Sequence, residues 1–185
     1  MLSYYELDAN QSRFTVQAFA GGMLWAFAYN PVIAIRDFAG EVRFAPEELD
    51  KTSLFMTIKQ GSLEVIDDIP QQDRQEIEGR MHQEMLETAI YPEITFQSTH
   101  ISVSKVTANW YMAEIKGALS LHGVTRNERI SAQVRILGDN LRVYGEFTLQ
   151  LSNYNIKSFS IAMGTVMVKD ELKFSFDIVA RKESK

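Results

Sequence analysis

Apolar and polar residues alternate with a period of two from Trp110 to Leu121, and no other feature of the sequence constrains the fold as strongly. Such alternation places successive side chains on opposite faces of a β-strand, one of which is buried. His122-Gly123 then interrupts the pattern, because glycine allows the backbone to turn, and a second alternating run begins at about Ile130. The sequence thus predicts a long strand, a turn and a returning strand, with no catalytic signature among them.

The same alternation recurs along most of the chain, in segments separated by turn-forming residues such as Asp8–Gln11 and Gly138-Asp139-Asn140. The apolar run Met23–Tyr29 is consistent with either a buried strand or a short helix at one end of a sheet. The other predicted strands are Tyr4–Leu7, Ser12–Phe19, 32–44, Leu54–Ile58, Ile94–Ile101, Ile130–Ile136, Leu141–Leu151 and Leu172–Ala180.

One segment in the middle of the chain has helical periodicity instead. Asp67-Asp68-Ile69-Pro70 predicts its start, with an aspartate cap and a proline in the first turn, and Tyr91-Pro92 predicts its end. Its apolar stripe consists of Ile77, Met81, Met85 and Leu86. About eight mainly antiparallel strands and one mid-chain helix predict a lipocalin-like barrel, because closure removes exposed sheet edges. The chain has no repeats or linkers, which predicts a single domain over residues 1–185.

The composition excludes several functional classes. The net charge of −5 argues against binding to a phosphate backbone, so no nucleic-acid partner is expected. The absence of cysteine excludes disulfides, thiolate catalysis and cysteine-ligated metals. No apolar run approaches the roughly 20 residues of a membrane-spanning helix. The N-terminus lacks the apolar core of a signal peptide, so a cytoplasmic location is expected, or a periplasmic one if the chain is already processed.

The predicted inward faces of the strands are rich in large apolar side chains. Eleven phenylalanines and eight methionines suit an adaptable apolar pocket, although a packed core is the alternative interpretation. A long apolar ligand gains about 0.8 kcal/mol for each methylene that it buries. The predicted bore-lining residues are Phe14, Val16, Phe44, Met56, Ile58, Phe96, Ile115, Leu119, Phe147, Leu149, Phe174 and Phe176.

Three residues near turns, His122, Arg126 and Lys169, are candidate contacts for the head group of such a ligand, for instance an anionic pyrophosphate. Solvation is the alternative for the two cations, and His122 alternatively orders its turn, since no partner carboxylate is evident. Glu78 and His82 lie one helical turn apart, but no third ligand accompanies them, so no metal site is predicted. The sequence contains no motif that identifies catalytic residues or a catalytic cofactor.

Three alternatives remain open at this stage. An enzyme acting on a prenyl or quinone-type substrate would use His100 or His122 as its acid–base group. A stress-response protein without a ligand would have a collapsed bore. A homodimer is also possible, with an interface at Tyr4, Tyr5 or Trp110 if these aromatic residues are exposed.

Several short motifs, taken in order, resemble the YceI family of bacterial proteins over about Ser12 to Ile178. The motifs are Ser12-Arg13-Phe14-Thr15-Val16, Phe38-x-Gly40-x-Val42-x-Phe44, Tyr91-Pro92-Glu93-Ile94-Thr95-Phe96-Gln97-Ser98, Leu119-x-Leu121-His122-Gly123-Val124-Thr125-Arg126, Asn153-Tyr154-Asn155-Ile156 and Val168-Lys169-Asp170-Glu171-Leu172. The resemblance implies an extended antiparallel barrel with a helix at one side. It also implies a bore that holds a long isoprenoid chain, such as a polyprenyl or quinone-like molecule. Many members of the family are periplasmic, and the family has no agreed catalytic residues.

Overall fold

The computed structural model describes residues 2–24, 28–161, 164 and 166–183, which form thirteen strands and one α-helix. The helix, α1, spans Gln71–Arg80 and continues into a π-helical turn at Met81–Met85. The strands are β1 Ser3–Gln17, β2 Ala20–Gly21, β3 Val32–Ile35, β4 Phe38–Phe44, β5 Ser53–Lys59, β6 Leu63–Val65, β7 Glu93–Thr107, β8 Trp110–Leu121, β9 Val124–Leu137, β10 Asn140–Gln150, β11 Ser160–Ile161, β12 Val166–Val168 and β13 Glu171–Lys182. No helix among these residues is long and apolar enough to cross a membrane.

Eight of the strands form a closed antiparallel barrel in the order β13-β10-β9-β8-β7-β5-β4-β1, and β1 pairs with β13 to close it. β3 and β6 extend the sheet beside the second half of β1, while β2, β11 and β12 form a separate three-stranded sheet. The prediction of an eight-stranded antiparallel barrel with one mid-chain helix is therefore confirmed. The predicted turns at His122-Gly123 and Gly138-Asp139-Asn140 both occur, as two-residue loops at His122-Gly123 and Gly138-Asp139, and each contains backbone with positive φ.

The predicted turn at Asp8–Gln11 is wrong, because β1 runs through it as one strand. The register with β13 shifts between Asp8 and Arg13, so the polar residues form an irregularity within the strand and do not reverse the chain. The Asp8 carboxylate accepts hydrogen bonds from the backbone N–H groups of Asn10 and Gln11 at 3.0 and 3.3 Å. It also pairs with the Arg181 guanidinium of β13 at 2.9 Å. Asp8 thus satisfies the backbone groups that the irregularity frees.

The mid-chain helix also differs from its prediction. No side chain caps its N-terminus, where Pro70 stands, and the Asp67 carboxylate instead accepts the backbone N–H of Val32 at 2.6 Å. The α-helix ends at Arg80, where the backbone widens into the π-helical turn. The apolar Met23–Tyr29 run, predicted as strand or helix, lies partly outside the described residues.

The two ends of the barrel differ, and we call them the closed end and the open end. At the closed end, the rings of Phe44 and Tyr111 meet edge to face with centroids 5.5 Å apart, and both side chains are buried. At the open end lie α1 and a segment that we call the flap, comprising residues 18–24, 28–31, 156–161, 164 and 166–169, which contains the three-stranded sheet. The barrel is therefore plugged by aromatic side chains at one end and covered by α1 and the flap at the other.

The aromatic residues proposed as a dimer face do not form an exposed patch. Tyr5 is only 6% exposed, because it lies on the inward face of β1. Tyr4 and Trp110 are half-buried, and the guanidinium groups of Arg43 and Arg135 lie over their rings at 5.4 and 5.5 Å from the centroids. These three aromatic residues therefore do not supply the exposed dimer face that the sequence suggested, and a homodimer stays a prediction.

His122 links three segments at the open end. Its Nε2 lies 2.7 Å from the Glu87 carboxylate, and its Nδ1 lies 3.1 Å from the carbonyl oxygen of Tyr154. The expectation that His122 has no partner carboxylate is thus wrong, because the fold brings together residues that are 35 positions apart. Glu87, His122 and Asn155 all have positive φ, at 47°, 52° and 55°. The hydrogen bonds hold together three turns whose backbone is individually unfavourable.

A second hydrogen bond fixes the same region from the barrel side. The buried Tyr154 hydroxyl donates to the Glu128 carboxylate of β9 at 2.5 Å. Burial of the phenol, together with this hydrogen bond, raises the pKa of Tyr154 well above its usual value. The segment between β10 and the flap is therefore attached to β9 by a protonated tyrosine throughout the physiological pH range.

Glycines on the inward faces give phenylalanine rings room to lie against the barrel wall. A Cβ atom on Gly117 would lie 2.6 Å from the Gln97 carbonyl oxygen and would also collide with the Phe96 ring. A Cβ atom on Gly145 would lie 2.8 Å from Cζ of Phe176. Such pairs bury an aromatic ring beside the backbone and leave the centre of the barrel free.

We expect Gly117→Ala to destabilise the fold by about 2–3 kcal/mol, because its methyl group overlaps Phe96 and the β7 backbone. The matched control is Gly79→Ala, because nothing lies within 4 Å of the added methyl group in α1. This control should stabilise the protein by about 0.5–1 kcal/mol, since alanine is the better helix former. Urea unfolding measures both changes, and an unaltered midpoint for Gly117→Ala would contradict the packing described.

We expect His122→Ala to lower the free energy of unfolding by about 2–3 kcal/mol, because it removes one charge-assisted hydrogen bond and leaves a carbonyl without its donor. His100→Ala is the control. His100 is exposed and its side chain hydrogen-bonds to the exposed Ser102 hydroxyl, so its change should stay within about 0.5 kcal/mol. Equal effects of the two substitutions in urea unfolding would show that His122 does not brace the open end.

Candidate functional site

The barrel encloses an elongated apolar cavity of about 450 Å³, a volume within the usual range for ligand pockets. Residues from all eight barrel strands line it, together with residues of α1 and the flap. Along β8, its wall runs from Ala113 to Leu121, which corresponds to about 27 Å of strand and roughly 20 Å along a barrel axis with the usual strand tilt. The cavity is thus long and narrow, with its bottom at Phe44.

All twelve residues predicted to line the bore lie in the cavity wall. They are Phe14, Val16, Phe44, Met56, Ile58, Phe96, Ile115, Leu119, Phe147, Leu149, Phe174 and Phe176. The structure places them there because every second residue of a strand faces the same side. Their contribution to ligand binding stays a prediction.

An aromatic band crosses the barrel wall on four neighbouring strands, β10, β13, β1 and β4. Phe147 of β10 stacks on Phe174 of β13, with centroids 4.6 Å apart and planes at 9°. Phe14 of β1 meets Phe176 of β13 at 6.3 Å and Phe38 of β4 at 5.8 Å, both edge to face. Each ring therefore has an aromatic neighbour in the wall, which supports it without a ring projecting alone across the bore.

Part of the cavity wall comes from outside the barrel strands, and the sequence does not predict this part. Ile77, Met81, Met85 and Leu86 are the predicted apolar stripe of the helix, and the structure places this stripe against the cavity. The flap contributes further apolar residues. Those in the described part of the flap are Ala18, Phe19, Ala20, Ala28, Tyr29, Pro31, Ile156, Phe159, Val166, Met167 and Val168. The long apolar runs of the flap segments were the available signal for this role.

None of the three candidate head-group residues lies in the described cavity wall. His122 is engaged with Glu87 and the Tyr154 carbonyl group. Lys169 is exposed in the flap. Arg126 lies opposite Leu119 in the register but is exposed, because β9 pairs with β10 only from Ala132 onwards. The predicted contacts between these residues and a ligand head group thus have no support in the cavity geometry.

The cation of the described wall is Arg80, at the end of α1, and three of its five N–H donors are engaged. Its Nε and one terminal nitrogen bind both carboxylate oxygens of Glu84 at 3.1 and 3.0 Å. Its other terminal nitrogen donates to the Ser160 carbonyl oxygen at 3.1 Å, and the guanidinium lies 4.4 Å from the centroid of Phe159. Arg80 therefore fastens α1 to the flap and is not poised to receive a phosphate.

The remaining polar groups at the mouth are acidic or neutral. Asp73 and Glu76 of α1 belong to the wall, and the Tyr29 hydroxyl of the flap donates to Asp73 at 2.8 Å. This exposed hydrogen bond is a second link between α1 and the flap. The two links, Tyr29–Asp73 and Arg80–Ser160, bridge α1 and the flap where both contribute to the cavity wall.

The residues weighed for catalysis or metal binding do not belong to the described cavity wall and have structural partners. His82 lies between the Thr88 hydroxyl and the Leu63 carbonyl group, at 3.0 and 2.9 Å. Glu78 accepts the backbone N–H of Val65 at 2.8 Å. No group of three or more metal-ligating side chains occurs within the residues that the structure describes. His100 is exposed, so neither it nor His122 can reach a substrate in the bore as acid or base.

Comparisons with known proteins agree with this architecture. The structure resembles that of BcnA from Burkholderia cenocepacia, with a TM-score of 0.72, 19% identity and coverage of 94% of this chain and 98% of the other. It also resembles a polyisoprenoid-binding domain from Saccharophagus degradans, described as implicated in plant cell wall breakdown, with a TM-score of 0.70, 16% identity and coverage of 99% and 100%. A Campylobacter jejuni YCEI protein matches with a TM-score of 0.62, 15% identity and coverage of 85% and 88%.

At these identities, the structural matches establish a shared fold. The comparison with curated proteins gave no significant match. The sequence, however, matches the family model of the YceI-like domain over residues 5–180, which is nearly the whole chain. This match includes every barrel strand except the extreme ends of the first and the last. The chain therefore belongs to the YceI-like family.

Proposed function

We propose that the protein binds a long apolar ligand, an isoprenoid chain, inside the barrel and carries or sequesters it without changing it chemically. The observation that carries this proposal is the long apolar cavity that is closed at Phe44 and reaches α1 and the flap at its other end. Membership of the YceI-like family supports it, as does the likeness to a domain named for polyisoprenoid binding. In this proposal the lipid is the bound cargo, and no catalytic cofactor is required.

The free energy of burial suffices for such a ligand. An isoprene unit contains five carbons, so at about 0.8 kcal/mol per carbon its burial contributes about 4 kcal/mol. Four units contribute about 16 kcal/mol, against an association cost of about 4–15 kcal/mol. Binding therefore requires several buried units, and the roughly 20 Å length of the cavity suits an extended chain better than a compact molecule.

The wall favours binding over catalysis. An enzyme acting on a prenyl or quinone ring would need a proton donor or acceptor within hydrogen-bonding distance of the bound substrate. In the described wall, the titratable groups lie near α1 and the flap, and Arg80 is held by Glu84. Along the barrel itself the wall is aliphatic and aromatic, apart from Thr52 near the closed end. The proposal of a ligand-free protein is less favoured, because the bore is open.

We expect a protein purified natively to release an isoprenoid lipid on extraction with organic solvent, detectable by mass spectrometry. Because Glu84 already pairs with Arg80, the cation of the described wall, a polyprenol and the corresponding polyprenyl phosphate of equal length should bind with affinities within about tenfold. Shortening either chain by one isoprene unit should weaken binding by more than that. A strict requirement for the phosphate, or no binding of either compound, would contradict the proposal.

We expect Ala113→Phe to weaken binding of long chains by at least about tenfold, because Ala113 is a buried wall residue near the closed end and the added ring shortens the bore. The loss should diminish for shorter chains. Met112→Phe is the matched control, since Met112 is the next residue, faces outwards and is 41% exposed. Displacement of a fluorescent prenol measures both affinities. Equal affinities for all chain lengths would show that the ligand does not reach the closed end.

A further inference from the structure

The flap combines exposed apolar side chains with an unusual lack of acidic residues. Met23 is 86% exposed, and Leu24, Tyr29 and Met167 are 40%, 45% and 45% exposed. The chain has 24 acidic residues in total, yet none occurs from residue 9 to 36 or from residue 147 to 169. The flap itself carries Lys157 and Lys169, both exposed. It is a basic, apolar surface on a protein whose net charge is −5.

The opposite side of the mouth has the reverse character. Residues 64–87, which include α1, contain eight acidic and two basic residues. Asp73 and Glu76 of this segment belong to the cavity wall at the mouth. The mouth therefore has one basic, apolar lip and one strongly acidic lip, and a surface that attracts the first repels the second.

The apolar surface of the flap is continuous with the cavity. Tyr29 and Met167 are nearly half exposed and also line the cavity wall. Met167 pairs in the sheet with Gly21, two residues before Met23, so the exposed methionines lie close together along the lip. A lipid chain that crosses this lip stays in contact with apolar side chains, whereas passage through water would expose each of its methylene groups.

We propose that the flap docks on the surface of an anionic lipid bilayer, so that the cavity exchanges its ligand directly with the membrane. In this arrangement Met23, Leu24 and Met167 enter the interfacial region, while Lys157 and Lys169 lie beside lipid phosphates. The acidic lip with α1 faces away from the bilayer. This inference rests on the proposed function, since it assigns the source and destination of the bound lipid.

Docking on a bilayer requires the exposed side chains of the flap but not a bound ligand, so docking and ligand binding can be tested separately. The first measurement is flotation of the protein with vesicles of phosphatidylcholine alone or with about one third phosphatidylglycerol, a charge density at which surface-bound lysines are strongly attracted. We expect binding to the anionic vesicles only, and a decrease of at least about tenfold when Met23→Asp and Lys169→Glu are combined. Binding to neither type of vesicle overturns the proposal, whether or not a lipid occupies the cavity.

The second measurement is the rate at which a fluorescent prenol moves from the loaded protein to acceptor vesicles. Transfer during docking makes this rate rise in proportion to the concentration of anionic vesicles, and the Met23→Asp/Lys169→Glu variant should be at least about tenfold slower. A rate that does not depend on vesicle concentration shows release through water and overturns direct exchange. Failure of the prenol to load refutes the proposed function, and flotation then decides docking alone.

Matched substitutions at the closed end control for general effects of charge. Leu137 is 52% exposed on the β9–β10 hairpin, and Lys105 is exposed on β7, so Leu137→Asp with Lys105→Glu makes the same chemical change far from the flap. We expect this variant to float and to transfer prenol as the unmodified protein does. Equal losses in the two double variants, or a vesicle-independent dimer that only the flap variant dissociates, would overturn the assignment of the flap to a membrane surface.

Discussion

The pairing of the first strand with the last is the interaction on which the rest of the structure depends. β1 and β13 pair along both halves of β1, and their contact turns an open sheet into a barrel. Without it, both strands would present unpaired edges, and the inward apolar faces would lie open to water. Asp8 makes the pairing possible across the irregularity in β1, because it binds the freed N–H groups and Arg181 of β13 together. The cavity therefore exists only when the first and last barrel strands are paired.

Closure alone does not explain why the centre of the barrel stays free, since eight-stranded barrels are narrow enough for side chains to fill. The centre stays free because glycines lie beside the phenylalanine rings of the wall. Phe96 and Phe176 lie against Gly117 and Gly145, where any larger residue would push their rings towards the axis. Pairwise contacts between the other rings hold them in the same wall. The arrangement leaves volume for a ligand where the core of a protein without a ligand would be filled by close-packed side chains.

The sequence predicts those features that depend on local periodicity. The twelve inward residues follow from a period of two, and the turn at Gly138-Asp139 follows from its composition. Contacts between distant segments escape this reasoning, which is why the partnership of His122 with Glu87 was not foreseen. Arg126 shows a different limit. Its register places it opposite Leu119, but the separation of β9 from β10 at that level leaves it in solvent, and no local pattern reports where two strands separate.

The cavity and the outer surface of the open end have different roles in moving a lipid. The apolar cavity wall recognises the length and shape of a chain, but it does not determine from where the chain enters or to where it is released. The outer surface must therefore orient the mouth. Its two lips differ enough to do so, because the lip with α1 is acidic and the lip with the flap is basic and apolar. Tyr29–Asp73 and Arg80–Ser160 join these sides by exposed hydrogen bonds, which cost little to break in water. A bilayer that binds the flap alone would therefore have to break only these two hydrogen bonds, and the hydrogen bonds of His122 and Tyr154 that hold the barrel wall would stay intact.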